Sequence, residues 1–271
     1  MTRRPRLVLK LGGELLEQSQ DLGRVARAVA NLAARASLVV VHGGGREIDA
    51  ALHAAGIPKQ QVDGLRITDA RTLDVVVSVL AGAINTRLVA AVRRAGARPV
   101  GLTGADAAVV TVKRAAPIVS LAGDRVNLGL VGAPVNNGTP RLLTDLLAGG
   151  YVPIVACIGA TRDGRLLNVN ADTLASHLAR ALGATRLVIA GGTSGVLDEQ
   201  GKTIDRLTMR DAARLVKAGV ANKGMVAKLQ ACRAALQGGV RDVVIADGRR
   251  TSLGTLADPS APLSACTQVI R

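Results

Sequence analysis

The 271-residue sequence is nearly devoid of aromatic side chains: it has no tryptophan and no phenylalanine, and Tyr151 is its single tyrosine. Proteins that bind single-stranded nucleic acid without sequence preference stack bases on aromatic rings, so this scarcity argues against that class of function. The apolar residues, 48% of the chain, must build a core from Val, Leu, Ile and Ala. That composition favours an α/β protein in which helices cover both faces of a parallel sheet.

Disulfide, secretion and membrane signals are also missing. The three cysteines are odd in number, far apart and without CxxC spacing, which is typical of small apolar residues in a reducing compartment. Only three apolar residues separate the basic start from Lys10, too few for a signal-peptide core. No uninterrupted apolar run reaches the ~18 residues of a membrane span. We therefore expect a cytoplasmic protein without a membrane partner.

The net charge of +15 is large, but it is not concentrated. Such a charge suits a nucleic acid, an acidic protein or an anionic substrate. The arginines are dispersed, however, and no run of five or six like charges occurs. An Arg- and Ala-rich surface is the simpler interpretation, and we expect no nucleic-acid partner.

Several catalytic signatures are absent. There is no Walker motif, no Ser/His/Asp order and no nucleophile elbow. His42, His53 and His177 do not stand at ligand spacing from cysteines or carboxylates, so no protein metal site is predicted.

What the sequence does contain is a lysine beside a glycine pair at the end of a strand. Residues 7–11 are apolar except for Lys10, and Gly12 and Gly13 follow. An unpaired ammonium is costly in a buried strand, but at the carboxyl end of a parallel strand it can face the ligand crevice of an α/β sheet. The glycines let backbone N–H groups approach an anion without interference from Cβ. An edge-strand lysine followed by a plain turn is the alternative.

A second glycine-rich turn follows the next predicted strand, residues 37–41. His42 and the triplet Gly43–Gly45 lead into a predicted helix from Arg46 to about Ala55. Strand, glycine turn and helix N-terminus together predict an oxyanion site, since several free N–H groups converge there. Arg66 lies in a short hairpin arm, residues 62–68, and its guanidinium is suited to binding a carboxylate.

Asn168, Asn170 and Asp172 alternate at the head of a helix predicted to reach about Leu182. One of the three has a plain explanation as a helix cap. The alternation as a whole suggests a ligand site or a charge network, in which Asp172 could hold lysine ammoniums in place. A loop at 221–224 then delivers Met225 and, one helical turn further, Lys228.

The remaining pattern predicts an alternation of helices and strands. We expect helices over 21–36, 70–95, 140–148, 208–219 and 225–237, and strands over 98–103, 152–156, 186–190 and 242–246. A β-rich flap over 109–135, a hairpin at 196–201 and a final edge strand at 267–270 complete the prediction. A boundary near 182–186 divides the chain into an N-terminal lobe, residues 1–183, and a C-terminal lobe, residues 184–271.

Two lysines at element ends, glycine-rich anion turns and no catalytic base fit phosphoryl transfer, in which catalysis is mostly positioning and charge neutralisation. A carboxylate acceptor, with a pKa of ~4.3, is already ionised at neutral pH and needs no general base. The obstacle is then repulsion between two anions, which lysines and N–H groups relieve.

Six motifs in this order resemble the amino acid kinase family and, within it, the acetylglutamate kinases: Val8–Gly13, Val41–Gly45, Gly64–Thr68, Leu80–Gly82, Asn168–Asp172 and Gly224–Lys228. The resemblance covers essentially the whole chain. It implies a three-layer αβα sandwich with a central, mainly parallel open sheet. It also implies ATP-dependent phosphorylation of the γ-carboxylate of N-acetyl-L-glutamate, the second step of arginine biosynthesis.

The resemblance further implies residue roles. Lys10 would stabilise the transferring phosphoryl group and Lys228 the departing ADP, while Asp172 orients both lysines. Substrate contacts would come from Gly13, Gly44, Gly45, Arg66, Asn168 and Asn170. Nucleotide contacts would come from Gly12, Gly192, Thr193, Gly195, Ala221, Asn222 and Met225. Magnesium would be held mainly by the ATP phosphates.

The residues expected around the nucleotide depart from the family pattern. Ala190, Gly191 and Gly192 stand where Leu-Thr-Asp is usual, so an aspartate expected near the nucleotide is missing, and Lys223 is an atypical residue that would offer a substitute charge contact. Lys10 also lies too near the start for the extra N-terminal helix of arginine-inhibited hexamers. We therefore expect a homodimer insensitive to arginine. The alternatives are a kinase for aminoadipate or glutamate on an acidic carrier protein, and a nucleotide-impaired regulatory homologue.

Overall fold

Short aliphatic segments form the strands of this protein, as their length and their Val, Ile and Leu content predict. The computed structural model describes residues 4–120, 122–136, 138–221, 223–258, 261 and 263–271. The strands in these residues are β1 (Arg6–Leu11), β2 (Ser37–His42), β3 (Gln61–Val62), β4 (Leu65–Arg66), β5 (Pro99–Thr103), β6 (Val112–Arg114), β7 (Ile118–Val119), β8 (Arg125–Val126), β9 (Val131–Pro134), β10 (Val152–Ala156), β11 (Ile158–Ala160), β12 (Leu166–Val169), β13 (Arg186–Gly191), β14 (Arg206–Thr208), β15 (Asp242–Asp247) and β16 (Cys266–Ile270).

Segments with apolar residues at helical spacing form the helices, and several begin at a side chain that caps the first turn. Asp69, Asn170, Thr208 and Ser252 each accept a backbone N–H at such a start. A π-helical segment, Ser78–Ile84, separates the third helix from the fourth. The helices are α1 (Ser19–Ala33), α2 (Gly45–Ala54), α3 (Ala70–Val77), α4 (Asn85–Arg94), α5 (Arg141–Ala148), α6 (Ala171–Ala181), α7 (Met209–Lys217), α8 (Lys223–Gln237) and α9 (Leu253–Ala257).

The main sheet has eight strands in the order β14-β16-β15-β13-β1-β2-β10-β5. The six strands from β15 to β5 are parallel, whereas β16 pairs antiparallel with β15 and parallel with β14. Helices α1, α4 and α9 pack together, α6 packs on α8, and helices cover both faces of the sheet. The predicted three-layer αβα sandwich with a mainly parallel central sheet is confirmed.

The core lies in the central strands, which are buried along almost their whole length. Every residue of β13, β15 and β10 is buried, as is β1 after its first residue. Strands covered on both faces need continuous apolar runs, which explains why these segments do not alternate between apolar and polar residues. Lys10, near the carboxyl end of β1, is the one charged residue in this buried run.

A smaller sheet, in the order β11-β12-β9-β6, lies beside the main one. It contains two strands of the region predicted as a flap, 109–135, while β7 and β8 of that region form a separate hairpin. Strand β12 supplies Asn168, whose neighbours across the ladder are Ile158 and Val131. The sequence Asn136-Asn-Gly138 after this region predicts a polar turn, and Asn137 in it lies outside the described residues.

The helix predicted over 70–95 is confirmed as one run, Ala70–Arg94, whose middle segment is π-helical. Two predictions of local structure were wrong. The segment 267–270 is not an edge strand, because β16 lies between β14 and β15. Strand β12 precedes helix α6, whereas the pattern predicted only a helix there; β14 and α9 were not predicted.

The run Ala70–Arg94 is the one part of the described chain long and apolar enough to cross a membrane by length and composition. Its inward-facing side chains, Val76, Leu80, Ile84, Leu88 and Val92, belong to the hydrophobic core. One face of this helical run therefore packs into the core.

Candidate active site

Lys10, Asp172 and Lys228 meet in one charge cluster. Lys10 lies near the carboxyl end of β1, Asp172 is in the first turn of α6, and Lys228 is on α8, which packs against α6. The Lys10 Nζ atom is 2.9 Å from Asp172 Oδ1, and the Lys228 Nζ atom is 3.7 Å from Asp172 Oδ2. The Asp172 carboxylate therefore holds the ammonium groups of Lys10 and Lys228, which are 218 positions apart in the sequence.

Lys10 and Asp172 are both charged at neutral pH. Lys10 is 7% exposed and Asp172 is 5% exposed. Burial by itself lowers the pKa of Lys10, but the Asp172 carboxylate, and to a smaller degree Glu14, raise that pKa above its ordinary value. Burial likewise raises the pKa of Asp172, but Lys10 and Lys228 hold it below its usual range. The cluster thus keeps a net positive charge.

The two glycine-rich turns lie against each other beside this cluster. The Gly43 N–H donates to the Leu11 carbonyl at 2.9 Å, which ties the end of β2 to the end of β1. A Cβ at Gly13 would lie 2.7 Å from the Gly44 Cα, so only glycine allows the two backbones to approach this closely.

Backbone N–H groups are available in these turns. Within the described part of the chain, the N–H groups of Gly13, Gly44 and Gly45 donate to no protein acceptor. Gly45 is also the first residue of α2, where the helix dipole adds partial positive charge. These N–H groups and the two lysines form an anion-binding corner at the carboxyl ends of β1 and β2.

A cleft of about 220 Å³ opens from the second glycine turn. Its wall includes Arg66, which forms an ion pair with Asp49 and donates to the Gly45 carbonyl at 3.3 Å. Arg66 Nη1 is buried and has no hydrogen-bond partner in the described residues. Lys59, 2.7 Å from Asp49, is a second cation on the same wall. The cleft can therefore bind a carboxylate.

The two asparagines of the alternating motif differ in their surroundings. Both line the cleft. Asn168 Nδ2 donates to Thr68 Oγ1 at 3.2 Å, which turns its amide towards the cleft wall. Asn170 Oδ1 accepts the N–H groups of Asp172 and Thr173, each at 3.0 Å, and is the N-cap of α6. Asn170 thus fixes the start of the helix that carries Asp172.

Glu14 places a carboxylate between the carboxyl ends of β1 and β13. Glu14 Oε1 accepts the Gly192 N–H at 2.8 Å. The Gly12 N–H is already bonded to the Ala190 carbonyl at 2.8 Å, so it is not free for a ligand. A Cβ at Gly192 would lie 3.7 Å from Glu14 Oε1, so an aspartate there would bring two carboxylates together. Glu14 thus occupies the neighbourhood of the aspartate that the family pattern has led us to expect.

The other residues predicted to contact a nucleotide differ in how accessible they are. Thr193 is exposed in the loop after β13. Gly195 is required for packing, because a Cβ there would lie 2.4 Å from Thr267 Oγ1. Ala221 packs against the core, and Met225 is only 8% exposed, so it offers little surface to a ligand. Asn222 and the side chain of Lys223 lie outside the described residues.

Sequence reasoning did not identify Glu14, Asp49 or Lys59. Glu14 follows the first glycine pair directly, and that position was the available signal. Asp49 lies one helical turn after Gly45, on the side of α2 that faces the cleft. No sequence pattern marked Lys59 as a site residue, because its position depends on how the loop after α2 returns to the cleft. Among the described residues, no group of three or more His, Cys, Asp or Glu is arranged to hold a metal ion.

Residues 5–247 match the model of the amino acid kinase family. The chain is similar to the acetylglutamate kinase of Methanopyrus kandleri, with 40% identity over 241 residues that cover 88% of this chain and 93% of that protein. It is also similar to the acetylglutamate kinase of Sorangium cellulosum, with 43% identity over 251 residues, 88% of this chain and 86% of that protein.

Among solved structures, the chain is similar to the N-acetylglutamate synthase of Neisseria gonorrhoeae, complexed with coenzyme A and N-acetyl-glutamate. The TM-score is 0.83 at 25% identity, and the match covers 99% of this chain and 60% of that one. The chain therefore spans three fifths of the length of the synthase.

Proposed function

The chain belongs to the amino acid kinase family, and we propose on this basis that it transfers the γ-phosphoryl group of ATP to the γ-carboxylate of N-acetyl-L-glutamate. The product is N-acetyl-L-glutamyl 5-phosphate, formed in the second step of arginine biosynthesis. The observation that carries the proposal is the pair of ammoniums, Lys10 and Lys228, held on Asp172 beside the free N–H groups of the glycine turns. The similarity to acetylglutamate kinases over most of the chain supports the choice of acceptor.

Acetylglutamate occupies the cleft in this proposal. Its α-carboxylate binds Arg66, whose buried Nη1 has no other described partner, and the amide of Asn168 completes the contact. Asp49 holds the guanidinium in place, and hydrogen bonds from Lys59 and Arg66 keep the pKa of Asp49 low despite its partial burial. The γ-carboxylate then points towards Gly44 and Gly45.

The transfer step needs charge neutralisation and no proton transfer, because the attacking carboxylate is already ionised. Lys10 and the N–H groups of Gly13 and Gly44 stabilise the phosphoryl group in flight, and Lys228 stabilises the charge that develops on the departing ADP. Asp172 does not touch the substrate. It keeps both ammoniums at a fixed distance, which is a positioning role.

ATP binds on the side of Gly192 and Thr193, above the carboxyl ends of β1 and β13. Its phosphates bring Mg²⁺, which offsets part of their negative charge; the chain's own contribution at this corner is lysines and N–H groups. The cleft residues all fall between 43 and 171, whereas Gly192 and Lys228 come later in the chain. This division supports an acetylglutamate-binding lobe over residues 1–183 and a nucleotide-binding lobe over 184–271.

We further propose that the active protein is a cytoplasmic homodimer. In the most apolar window of the run Ala70–Arg94, 44% of the residues are buried within one copy, and the others are partly or fully exposed. An apolar helix with such an outer face is the kind of surface that a second copy covers. A measured mass of a monomer by light scattering would contradict this part of the proposal.

A coupled ADP-release assay with acetylglutamate, glutamate and aminoadipate side by side tests the function. We expect turnover with free acetylglutamate and much less with the other two. Activity only when the acceptor is carried on an acidic protein would favour the carrier-dependent alternative. No activity with any acceptor, together with intact folding, would favour a regulatory homologue.

A further inference from the structure

Two buried polar side chains next to the second glycine turn have no role in the proposed reaction. His42 is fully buried and Asn85 is 5% exposed. His42 Nε2 and Asn85 Nδ2 are 3.1 Å apart. Buried polar groups of this kind destabilise a core unless they are hydrogen-bonded, so their arrangement calls for a physical explanation.

The orientation of the Asn85 amide is fixed by its other neighbours. Its Nδ2 atom is 3.0 Å from the Ile154 carbonyl and 3.4 Å from the Leu102 carbonyl. Carbonyl oxygens only accept, so the NH₂ side of the amide must face them. The Oδ1 atom lies over Gly101, where a Cβ would be only 2.2 Å away. Asn85 is therefore a donor towards His42.

The donor fixes the tautomer of the histidine. The pKa of His42 is lowered to about 4, chiefly by burial and further by Arg87, so its ring is neutral at pH 7. A neutral ring that accepts at Nε2 carries its proton on Nδ1. Nδ1 lies 3.2 Å from the Gly43 carbonyl oxygen and donates to it.

This hydrogen bond acts on the anion-binding turn. The Gly43 carbonyl and the Gly44 N–H belong to one planar trans peptide and point in opposite directions. When the carbonyl is held by the histidine ring, the Gly44 N–H points away from that ring. Ile84, which directly precedes Asn85, contacts the same turn: a Cβ at Gly44 would lie 2.2 Å from its Cδ1.

We propose that Asn85 and His42 are positioning residues for phosphoryl transfer: Asn85 selects the Nδ1–H tautomer of His42, and that proton holds the Gly43–Gly44 peptide with its N–H towards the transferred group. This inference rests on the proposed kinase function. To that function it adds a chain of hydrogen bonds, here called the relay, from Asn85 through His42 to the Gly43–Gly44 peptide beside the reacting phosphate.

A matched pair of variants tests the relay. In His42→Asn the amide nitrogen takes the place of Nδ1 and can still donate to the Gly43 carbonyl. In His42→Gln the amide group takes the place of Nε2, so it can accept from Asn85 but leaves that carbonyl without a donor. We expect His42→Asn to keep kcat within about tenfold of the unmodified enzyme and His42→Gln to lose a hundredfold or more, with the KM for ATP unchanged in both. Equal kcat values in the two variants, both folded by circular dichroism, would overturn the proposal.

The tautomer can also be measured without substrate. In protein labelled with ¹⁵N-histidine, the His42 signals are assigned by comparison with single substitutions of His53 and His177. We expect the Nδ1–H form, and a smaller Nδ1–H population in Asn85→Ala. If the protein phosphorylates acetylglutamate but His42 carries its proton on Nε2, the relay is refuted and the proposed function stands. If His42 carries its proton on Nδ1 but the protein has no kinase activity, the geometry is supported and the proposed function is refuted.

Discussion

Replacing Lys10 by methionine should separate the contribution of its ammonium to stability from its contribution to catalysis. Lys10 is 7% exposed and Asp172 is 5% exposed, so the variant leaves a buried carboxylate. Its remaining partner, Lys228, is 3.7 Å away and has a side chain 21% exposed. Breaking a buried pair by removing one partner costs about 3–5 kcal/mol of folding free energy. Activity should fall more than about a hundredfold, equivalent to at least ~2.7 kcal/mol of transition-state stabilisation.

The double variant Lys10→Met/Asp172→Asn is the decisive comparison. It removes both charges, so most of the lost stability should return, because the unpaired buried charge is gone. Activity should not return, since the ammonium that the proposal assigns to the transferred phosphoryl group, that of Lys10, is gone. Lys228→Met should cost only about 1 kcal/mol of stability, as expected for a longer and more exposed pair, and still lose activity about a hundredfold.

Urea unfolding followed by circular dichroism suits these measurements, since the chain has no tryptophan to report by fluorescence. Unfolding curves give the stability of each variant, and the coupled ADP-release assay gives its activity. A double variant as unstable as Lys10→Met would show that the ion pair is not the source of the loss. A Lys10→Met enzyme within tenfold of normal kcat would refute the catalytic role.

Three further predictions concern the residues around this cluster. The pKa of His42 is about 4 in the folded state and about 6.5 in the unfolded state, so at this residue only the unfolded chain takes up a proton between these values. His42 should therefore lower the unfolding free energy by about 3 kcal/mol from pH 6.5 to pH 4, and His42→Asn but not the exposed His53→Asn should remove that part of the loss. Burial also lowers the pKa of His177, so a smaller acid-dependent loss should remain in His42→Asn. Gly44→Ala would place a methyl group 2.2 Å from Ile84 Cδ1 in the π-helical segment, so this variant should lose both stability and activity. Gly45→Ala is the control: nothing lies within 4 Å of its new Cβ, so it should be as stable as the unmodified protein in the same unfolding assay. Glu14→Gln removes a negative charge from beside the proposed phosphate site, so the KM for ATP should fall several-fold at low salt. A raised KM would contradict this expectation and mean that the Glu14 carboxylate assists ATP binding, as the family's aspartate would.

The sequence predicted the parts of the molecule that depend on local pattern. Continuous Val and Leu runs identified the buried strands, and a lysine or glycines at their ends predicted a ligand edge, because parallel strands share one carboxyl end. The meeting of Lys10 and Lys228 on Asp172 was expected from the family resemblance, and the distances agree with it. The roles of these residues in the reaction are still predictions.

What the sequence did not reveal depends on contacts between distant segments. The position of β16 between β14 and β15 is set by packing and not by its own residues, which read as an edge strand. Asn170 is the N-cap of α6, a use that the sequence could not assign to one of the three polar residues; it also lines the cleft, so its contact with substrate stays a prediction. Lys59 and the His42–Asn85 pair acquire their surroundings only when separate loops and helices come together. The departure at Gly192 has a spatial explanation in Glu14, 178 residues away.

The π-helical segment Ser78–Ile84 makes the residue count of this helix matter as much as its composition. Its wider turn directs Leu80, Ile84 and Asn85 towards the same glycine turn. If the same residues wound as an ordinary α-helix, Asn85 would rotate by about 100° relative to the preceding helix, because the wider turns take up about one extra residue. The hydrophobic pattern of α4 would be unchanged, but its alignment with β2 would be lost. In this protein the winding of one helical segment, with no change in chemistry, would therefore separate folding from function.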